Sequence, residues 1–596
     1  MDALPQLAIL AIVAGLFSGA VILVFRFTID FVLGQWLLPN GSESFESLSY
    51  VERFALPVIG AALVGVLLTR LAEEDRSVGV VHVMERLSRH QGYMPKRNAV
   101  VQFVGGIIVL VSGHSGGREG PAIHLGAASS SLLGQVFKLP NNSIRTLVAC
   151  GTAAAIAGSF NTPIAGVIFA MEVVMMEYTI ASFIPVIIAA VTSTILTHYF
   201  VGNEPAFTVT PLQMQSLLEI PYVASAGVII GCIAAGFIVL VQAFARLSHW
   251  SFWQRALLAG SLTGCAAIVA PEVMGVGYDT VNGAMMGQIA LFSLVVIVLL
   301  KTVTSAAAVG LGVSVGLIGP TFVIGAAVGG VLGYFGSYFQ PAEATSVGFY
   351  VMLGMSAMMA AVLQAPLAAL MAVTELTANP NIVLPAMVAI VIATLVTSVV
   401  FKQKSVFLST MDTLGLQYPP DPVTLHLQRA GVASIMNRDL ARLPFRCTQE
   451  QARAALAAKP RWIVVETAPG EIRCVLSTSD LMVYLETHDE ANPGPFEISG
   501  QDAEEQGSAA ATQPISQAAA DQAAESPAEV QLLEIPGLRL DVANIDLRAT
   551  LQEAQQTLRE AKAEALCVRR ISAPHTESVL GVIIQEDIDN YHESDI

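Results

Sequence analysis

A carboxylate stands between glycines in the stretch SGGREGPAIHLGA, residues 115–127, which follows the apolar run Val101–Val111 and leads into another. The residue types Gly117, Arg118, Glu119, Gly120 and Pro121 point to a particular chemistry. Proline is tolerated in the first turn of a helix, where its missing N–H is no loss. Glycines before it let the chain turn and leave backbone N–H groups open. A helix N-terminus carries about half a positive charge and free donors, so it can hold an anion without a cationic side chain. Ionised, Glu119 can occupy such a site itself; protonated, it is neutral and can swing out. One residue would then be both gate and proton acceptor. The plainer reading is a salt bridge to Arg118, but neighbours in sequence on a helix do not face each other.

The motif recurs. GLIGPTFVIGA begins at Gly316 and repeats G-x-x-G-P-x-x-x-x-G-A, with Leu317, Ile318 and Gly319 where the first copy has Arg118, Glu119 and Gly120. Some forty residues after each copy, Pro163 precedes Glu172 by nine residues and Pro366 precedes Glu375 by nine. The two pairs are offset by 199 and 203 residues, so the chain contains two homologous halves, about 1–205 and 215–405. Repeated halves with Gly/Pro-broken apolar segments are a transporter pattern, with the site where the halves meet. Packing glycines are the alternative, and duplication of the whole pattern counts against it.

The elements that must position these residues lie in a membrane. The chain has 596 residues, 54% hydrophobic and 13% charged, against about 25% charged in a soluble domain. Apolar runs recur at Leu7–Val24, Leu56–Leu68, Ala181–Leu196, Val223–Val241, Leu291–Leu300 and Ile382–Val400. Several reach the length that a spanning helix needs. Leu7–Val24 lacks a preceding basic stretch and a small-residue cleavage site, so a cleaved leader is not expected. Residues 1–410 hold 16 Lys or Arg and 18 Asp or Glu; the rest hold 14 and 29. An acidic, water-soluble tail therefore follows a nearly neutral membrane body. Its acidity argues against nucleic-acid binding, and Lys402 and Lys404 place it on the cytoplasmic side. The six cysteines show no metal-ligand spacing and fit buried thiols.

At these residues the sequence resembles the CLC family of chloride channels and chloride/proton exchangers. GREGP reproduces the second signature of that family. AAAIAGSFNTPIAGVIFAMEV (153–173) and KTVTSAAAVGLGVSVGLIGPTFVIGA (301–326) resemble its following segments. The resemblance implies an all-α polytopic membrane domain built from two inverted repeats, a homodimer with one anion pathway per subunit, and Glu119 as the external gating glutamate. It also exposes departures. In the first signature, matched to Ser77–Val81, the anion-binding Ser becomes Val78, with Ser77 one residue away as the alternative. The central Tyr falls on Phe407, the Phe of the third signature on Ile318, and the inner proton-relay glutamate on Val173. Glu172 or Glu177 could replace that acceptor; for Glu172 a structural hydrogen bond near a helix end is the competing role. With two hydroxyls lost, preference among chloride, nitrate and fluoride is open.

The tail repeats as well. VLSTSDLMVY (475–484) and VIIQEDIDNY (582–591) lie 107 residues apart, each preceded by a helix-like stretch and a strand. The order helix, strand, strand, helix, twice, resembles a tandem CBS pair, an α/β module. The resemblance implies that Asp480 and Asp587 could hold the ribose of an adenosine nucleotide; the competing role is a cap in the first helical turn. The expected organisation is a membrane domain at 1–410, a connector at 411–432, CBS-like motifs at 433–486 and 531–596, and between them an Ala/Gln-rich acidic linker at 487–530 with a disordered composition.

The function expected is transport of chloride or a similar small monovalent anion across the inner cell membrane, through a channel-like path gated by a protonatable glutamate. The alternative is a proton-coupled antiporter with altered selectivity. A membrane-embedded enzyme is a remote third: Ser112, His114, Ser115 and His124 lie near Glu119, but neither H-E-x-x-H nor G-x-S-x-G occurs. A cation transporter would want several intramembrane carboxylates facing one site, and the sequence supplies few, far apart. No metal and no certain cofactor are expected; lipid, anions, protons and a second copy of the chain are the partners.

Overall fold

The computed structural model describes residues 4–38, 44–203, 207, 213–339, 345–416, 422–468, 470–490, 529–570 and 579–594. Two compact units meet in sequence at Pro420 and Asp421. The first is helical. One half comprises α1 (Leu4–Val32), α2 (Tyr50–Thr69), α3 (Glu73–Arg76), α4 (Gly79–Arg89), α5 (Lys96–Val111), α6 (Glu119–Val136), α7 (Asn141–Phe160), α8 (Pro163–Phe169, prolonged by a π-helical turn, Ala170–Met175) and α9 (Ile180–Val201). The other comprises α10 (Ile220–Ala245), α11 (Phe252–Val269), α12 (Tyr278–Met285), α13 (Leu291–Gly310), α14 (Ile318–Phe339), α15 (Val347–Leu363), α16 (Pro366–Thr377) and α17 (Val383–Leu395), followed by α18 (Val406–Thr413). α18 crosses the expected limit of 410, ending at Thr413. Among the described residues, eight helical runs are long and apolar enough to cross a bilayer.

The halves repeat in packing as they do in sequence. α1 packs on α9 as α10 packs on α17, and equivalent helices meet across the halves, α2 on α11 and α8 on α16. Inside a bilayer the helices gain little from excluding water, so close packing through small residues holds them together. Gly126 of α6 faces Gly151 of α7, and Gly325 of α14 faces Gly354 of α15. A Cβ on any of the four would collide with the carbonyl of its partner. The breaks also match. α7 and α15 end on left-handed residues, Asn161 (φ 60°) and Gln364 (φ 52°). Each stands two residues before the proline that opens the next helix, which suits proline's preference for the first turn.

Four of the six cysteines are buried, but Cys232 and Cys265 are exposed on α10 and α11, contrary to the expectation of six buried thiols. They occupy helix faces that the protein itself does not cover.

The second unit is α/β. Its elements are α19 (Pro422–Arg429), α20 (Val432–Ile435), β1 (Leu440–Pro444), β2 (Arg446–Thr448), α21 (Gln449–Ala457), β3 (Trp462–Ala468), β4 (Glu471–Ser477), α22 (Thr478–Glu490), β5 (Glu529–Gln531), β6 (Arg539–Asp546), α23 (Leu551–Ala561), β7 (Ala565–Arg569), β8 (Gly581–Ile584) and α24 (Gln585–Ser594). One sheet runs β1-β3-β4-β6-β7-β8. In each copy a parallel pair (β1/β3, β6/β7) continues into an antiparallel one (β3/β4, β7/β8), and β4 joins β6 between the copies. α21 and α23 both begin with a reciprocal capping box, Thr448 with Gln451 and Thr550 with Glu553. Leu427 of α19, inside the expected connector, packs into the core of the second copy with Leu551, Leu558 and Leu566. Residues 491–528 of the expected linker lie outside the described residues.

Candidate functional site

The two G-x-x-G-P loops meet. Gly117 and Gly316 form an antiparallel bridge, N–H to carbonyl both ways at 2.8 and 2.7 Å. The approach depends on missing side chains: a Cβ on Gly120 would lie 2.7 Å from Gly316 Cα, and one on Gly117 would overlap the Glu119 carboxylate. α6 and α14 therefore begin side by side, with their open N–H groups around one point. Pro121 sits in the first turn of α6 and is buried.

Glu119, the first residue of α6, is fully buried. Gly319 of the opposite motif donates its N–H to Oε2 at 3.3 Å, and the Tyr278 hydroxyl at the start of α12 donates to Oε1 at 2.8 Å. The carboxylate thus occupies the converging helix ends, where the field of the aligned peptide dipoles favours negative charge. Arg118 turns elsewhere: its guanidinium lies over the Tyr278 ring, 5.6 Å from the centroid, and donates to Ser159 O at 3.5 Å.

Beside the meeting point lies a cavity of about 360 Å³. Ser77, Val78 and Gly79 at the start of α4 line it, with Gly120, Gly316, Leu317 and Ile318 of the paired loops and Phe407 of α18. The structure so brings four separate sequence segments to one space. Val78 is the residue before α4 and is extended (φ −144°, ψ 173°), so an apolar side chain stands there. The Gly79 N–H is taken by Gln102 Oε1 at 2.8 Å, and the Ser77 carbonyl accepts from Asn98 at 2.9 Å. Arg76 and Arg255 also line the cavity, as do Glu73 and Glu85.

Val173 lies buried in the π-helical turn after α8. Next to it, Glu172 accepts from the N–H groups of Leu367 (3.3 Å) and Ala368 (2.7 Å) in the first turn of α16. Glu375 does the reverse, accepting from Ile164 (3.0 Å) and Ala165 (2.8 Å) in the first turn of α8. Each half thus caps a helix of the other with a carboxylate. Glu177 is buried, and its N–H donates to Met171 O at 3.0 Å. Ser112 Oγ lies 3.1 Å from His114 Nδ1 but donates to Val109 O as well, at the end of α5. Ser115 pairs with Ser305 at 2.9 Å.

In the tail, Asp480 accepts from the Leu538 N–H at 2.9 Å. Asp587 accepts from the Ile584 N–H at 3.0 Å and faces Arg461 at 4.0 Å. Asp587 caps the start of its own helix and Asp480 holds the segment just before β6, and a ribose would have to displace those contacts.

The family described as voltage gated chloride channel matches residues 60–398. The chain belongs to this family. A putative chloride channel protein, ClcB-like, from Ralstonia nicotianae is 30% identical over 367 residues, covering 60% of this chain and 85% of that protein. The H(+)/Cl(-) exchange transporter ClcA of Yersinia pestis bv. Antiqua is 28% identical over 400 residues, covering 65% and 84%. Among solved structures, a slow cyanobacterial Cl-/H+ antiporter superposes with TM-score 0.62 at 22% identity, covering 69% of this chain and 99% of that one. A eukaryotic CLC transporter gives 0.59 at 16% identity, covering 98% of each. These likenesses establish the CLC fold.

Within this CLC chain, three site residues escaped the sequence reading. Tyr278 follows Gly275-Val276-Gly277, a turn signal at the start of a polar helix. Lys301 is fully buried and donates to Val273 O (3.1 Å) and Gly275 O (3.0 Å), fixing the segment that delivers Tyr278. A lysine inside an apolar helix was the available signal for it. His82, facing the cavity, bonds His124 through Nδ1 and Nε2 at 2.9 Å. No periodicity could pair residues 42 apart.

Proposed function

We propose that the chain transports chloride or a similar small monovalent anion, along a path that Glu119 closes by taking the anion's place at the converged starts of α6 and α14. The observation that carries this is the buried carboxylate, held by the Gly319 N–H and the Tyr278 hydroxyl at the meeting of the two repeats. The cavity beyond Gly120 and Gly316 supplies the continuation of the path, and its lining by Leu414 and Leu416, after α18, puts it on the side from which the chain leaves the membrane. That side is cytoplasmic in this reading, and the membrane is the inner cell membrane.

The first reading is a passive, glutamate-gated path, because Val173 has no proton to give at the relay position. Proton-coupled exchange is the second reading, favoured by the exchange activity that names the ClcA relative. The homodimer would form through α8, α9, α16 and α17, which expose Ile164, Ile195, Leu367 and Leu384. The tail, read as a CBS pair, would regulate; Asp480 and Asp587 are already engaged by backbone N–H groups, so an adenosine nucleotide is the weaker part of this reading. Simultaneous recording of halide and proton flux in proteoliposomes tests the proposal. Halide flux without proton flux supports the passive path, and fixed stoichiometry supports exchange. No halide flux in either direction of the gradient defeats both.

A further inference from the structure

We propose that the Tyr278 hydroxyl is a ligand of the transported anion: it holds Glu119 in the closed state and, with the Gly319 N–H, passes to the anion when the carboxylate leaves. The inference rests on the gate reading above and adds to it the side chain that selects.

The geometry is that of a built donor. Tyr278 Oη lies 2.8 Å from Glu119 Oε1, while Gly319 N lies 3.3 Å from Oε2, so one phenol and one helix end share the carboxylate. The ring is held from several sides: Phe207 edge-on at 5.5 Å, Phe160 at 6.3 Å and the Arg118 guanidinium at 5.6 Å. The backbone before it is fixed too. Gly277 takes a left-handed conformation (φ 87°) that admits the start of α12, and Lys301 clamps the carbonyls of Val273 and Gly275. The hydroxyl therefore stays in place when Glu119 moves. An anion entering the position that the carboxylate leaves lies within reach of the same O–H and N–H donors.

Val78 and Phe407 present apolar side chains to the cavity, whose polar lining includes Ser77, Ser314 and Thr410; Tyr278 donates to the carboxylate at the gate itself. Among the described residues, the charged or titratable groups acting on Glu119 are Arg118, from its own helix, and Tyr278, from α12. α14 contributes the Gly319 N–H, and Arg26 of α1 acts on Arg118 and Tyr278.

The test uses the full chain in proteoliposomes, with Tyr278→Phe, Glu119→Gln and the double variant, reading chloride and nitrate flux against pH. Because the phenol stabilises the ionised carboxylate, Tyr278→Phe should move the pH of half-maximal flux upward by about one unit. 3-Fluorotyrosine at 278, a stronger donor of nearly the same shape, should move it downward, which a packing role would not do. In the Glu119→Gln background, where the gate no longer titrates, Tyr278→Phe should change the chloride-to-nitrate flux ratio by about threefold or more. An unchanged midpoint in Tyr278→Phe, or an unchanged ratio in the double variant, overturns the inference. If Glu119→Gln keeps the wild-type pH dependence, the gate reading fails and this inference with it. If Glu119→Gln abolishes that dependence while Tyr278→Phe changes neither quantity, the Tyr278 inference alone fails.

Discussion

Glu119 was legible from its own surroundings. A carboxylate between glycines, followed by proline at a helix start, is expensive inside a membrane unless something accepts it, and the duplicated loop named what that was. Its second donor was not legible. Tyr278 lies 159 residues away in sequence, and nothing in local pattern couples a phenol at one helix start to a carboxylate at another. Val78 is the converse case: the residue type was plain, and the structure adds its place, at the cavity wall ahead of α4. Val78→Ser should restore a hydroxyl there and raise the preference for chloride over nitrate by roughly one hydrogen bond's worth, several-fold in flux ratio. Ion-substitution measurements in liposomes read this directly. No change would mean that this wall does not touch the anion.

At the scale of elements, the repeat was readable because the physics that marks helix starts works over short range. G-x-x-G-P and the Pro-to-Glu spacing survive in both halves, although the residues between them have diverged. The reciprocal use of Glu172 and Glu375 was only half visible. The spacing was there, but which helix each carboxylate would cap depends on how the halves cross. Glu172→Ala and Glu375→Ala should each destabilise the helical unit by about 1–2 kcal/mol, the usual loss for a charged cap. Each carboxylate belongs to the helix that the other caps, so the two effects should couple and the double variant depart from the sum of the singles; thermal unfolding of single and double variants in detergent provides the check. Glu172→Gln, which keeps an acceptor for the N–H groups, should leave any proton flux as in the wild type. A fall in proton flux would instead make Glu172 the inner acceptor.

The whole molecule joins two chemistries. The helical unit is held by close helix contacts through small residues, and the α/β unit by burial from water. The sequence showed the division through charge, since the net negative charge gathers after residue 410. It cut α18 short at 410 and left α19 in a connector, because short helices carry too few apolar positions to declare a side. In the α/β unit, Cys567 of β7 is fully buried, and burial pushes its thiol up to about 12. A raised thiol favours the folded state below the unfolded pKa of about 8.5, and that contribution is lost as pH climbs from there toward 12. Alkylation of Cys567 at pH 8 should accordingly be slow until the unit unfolds, which mass spectrometry of labelled peptides can follow.

The central claim concerns two helix starts and one negative guest. The most direct measurement is the anomalous density of bromide in crystals of Glu119→Gln. The account predicts a bromide peak within hydrogen-bonding distance of the Gly319 N–H, where the wild-type carboxylate rests, with the Gly117–Gly316 bridge intact. Density with no halide there, or with the starts of α6 and α14 drawn apart, would contradict it.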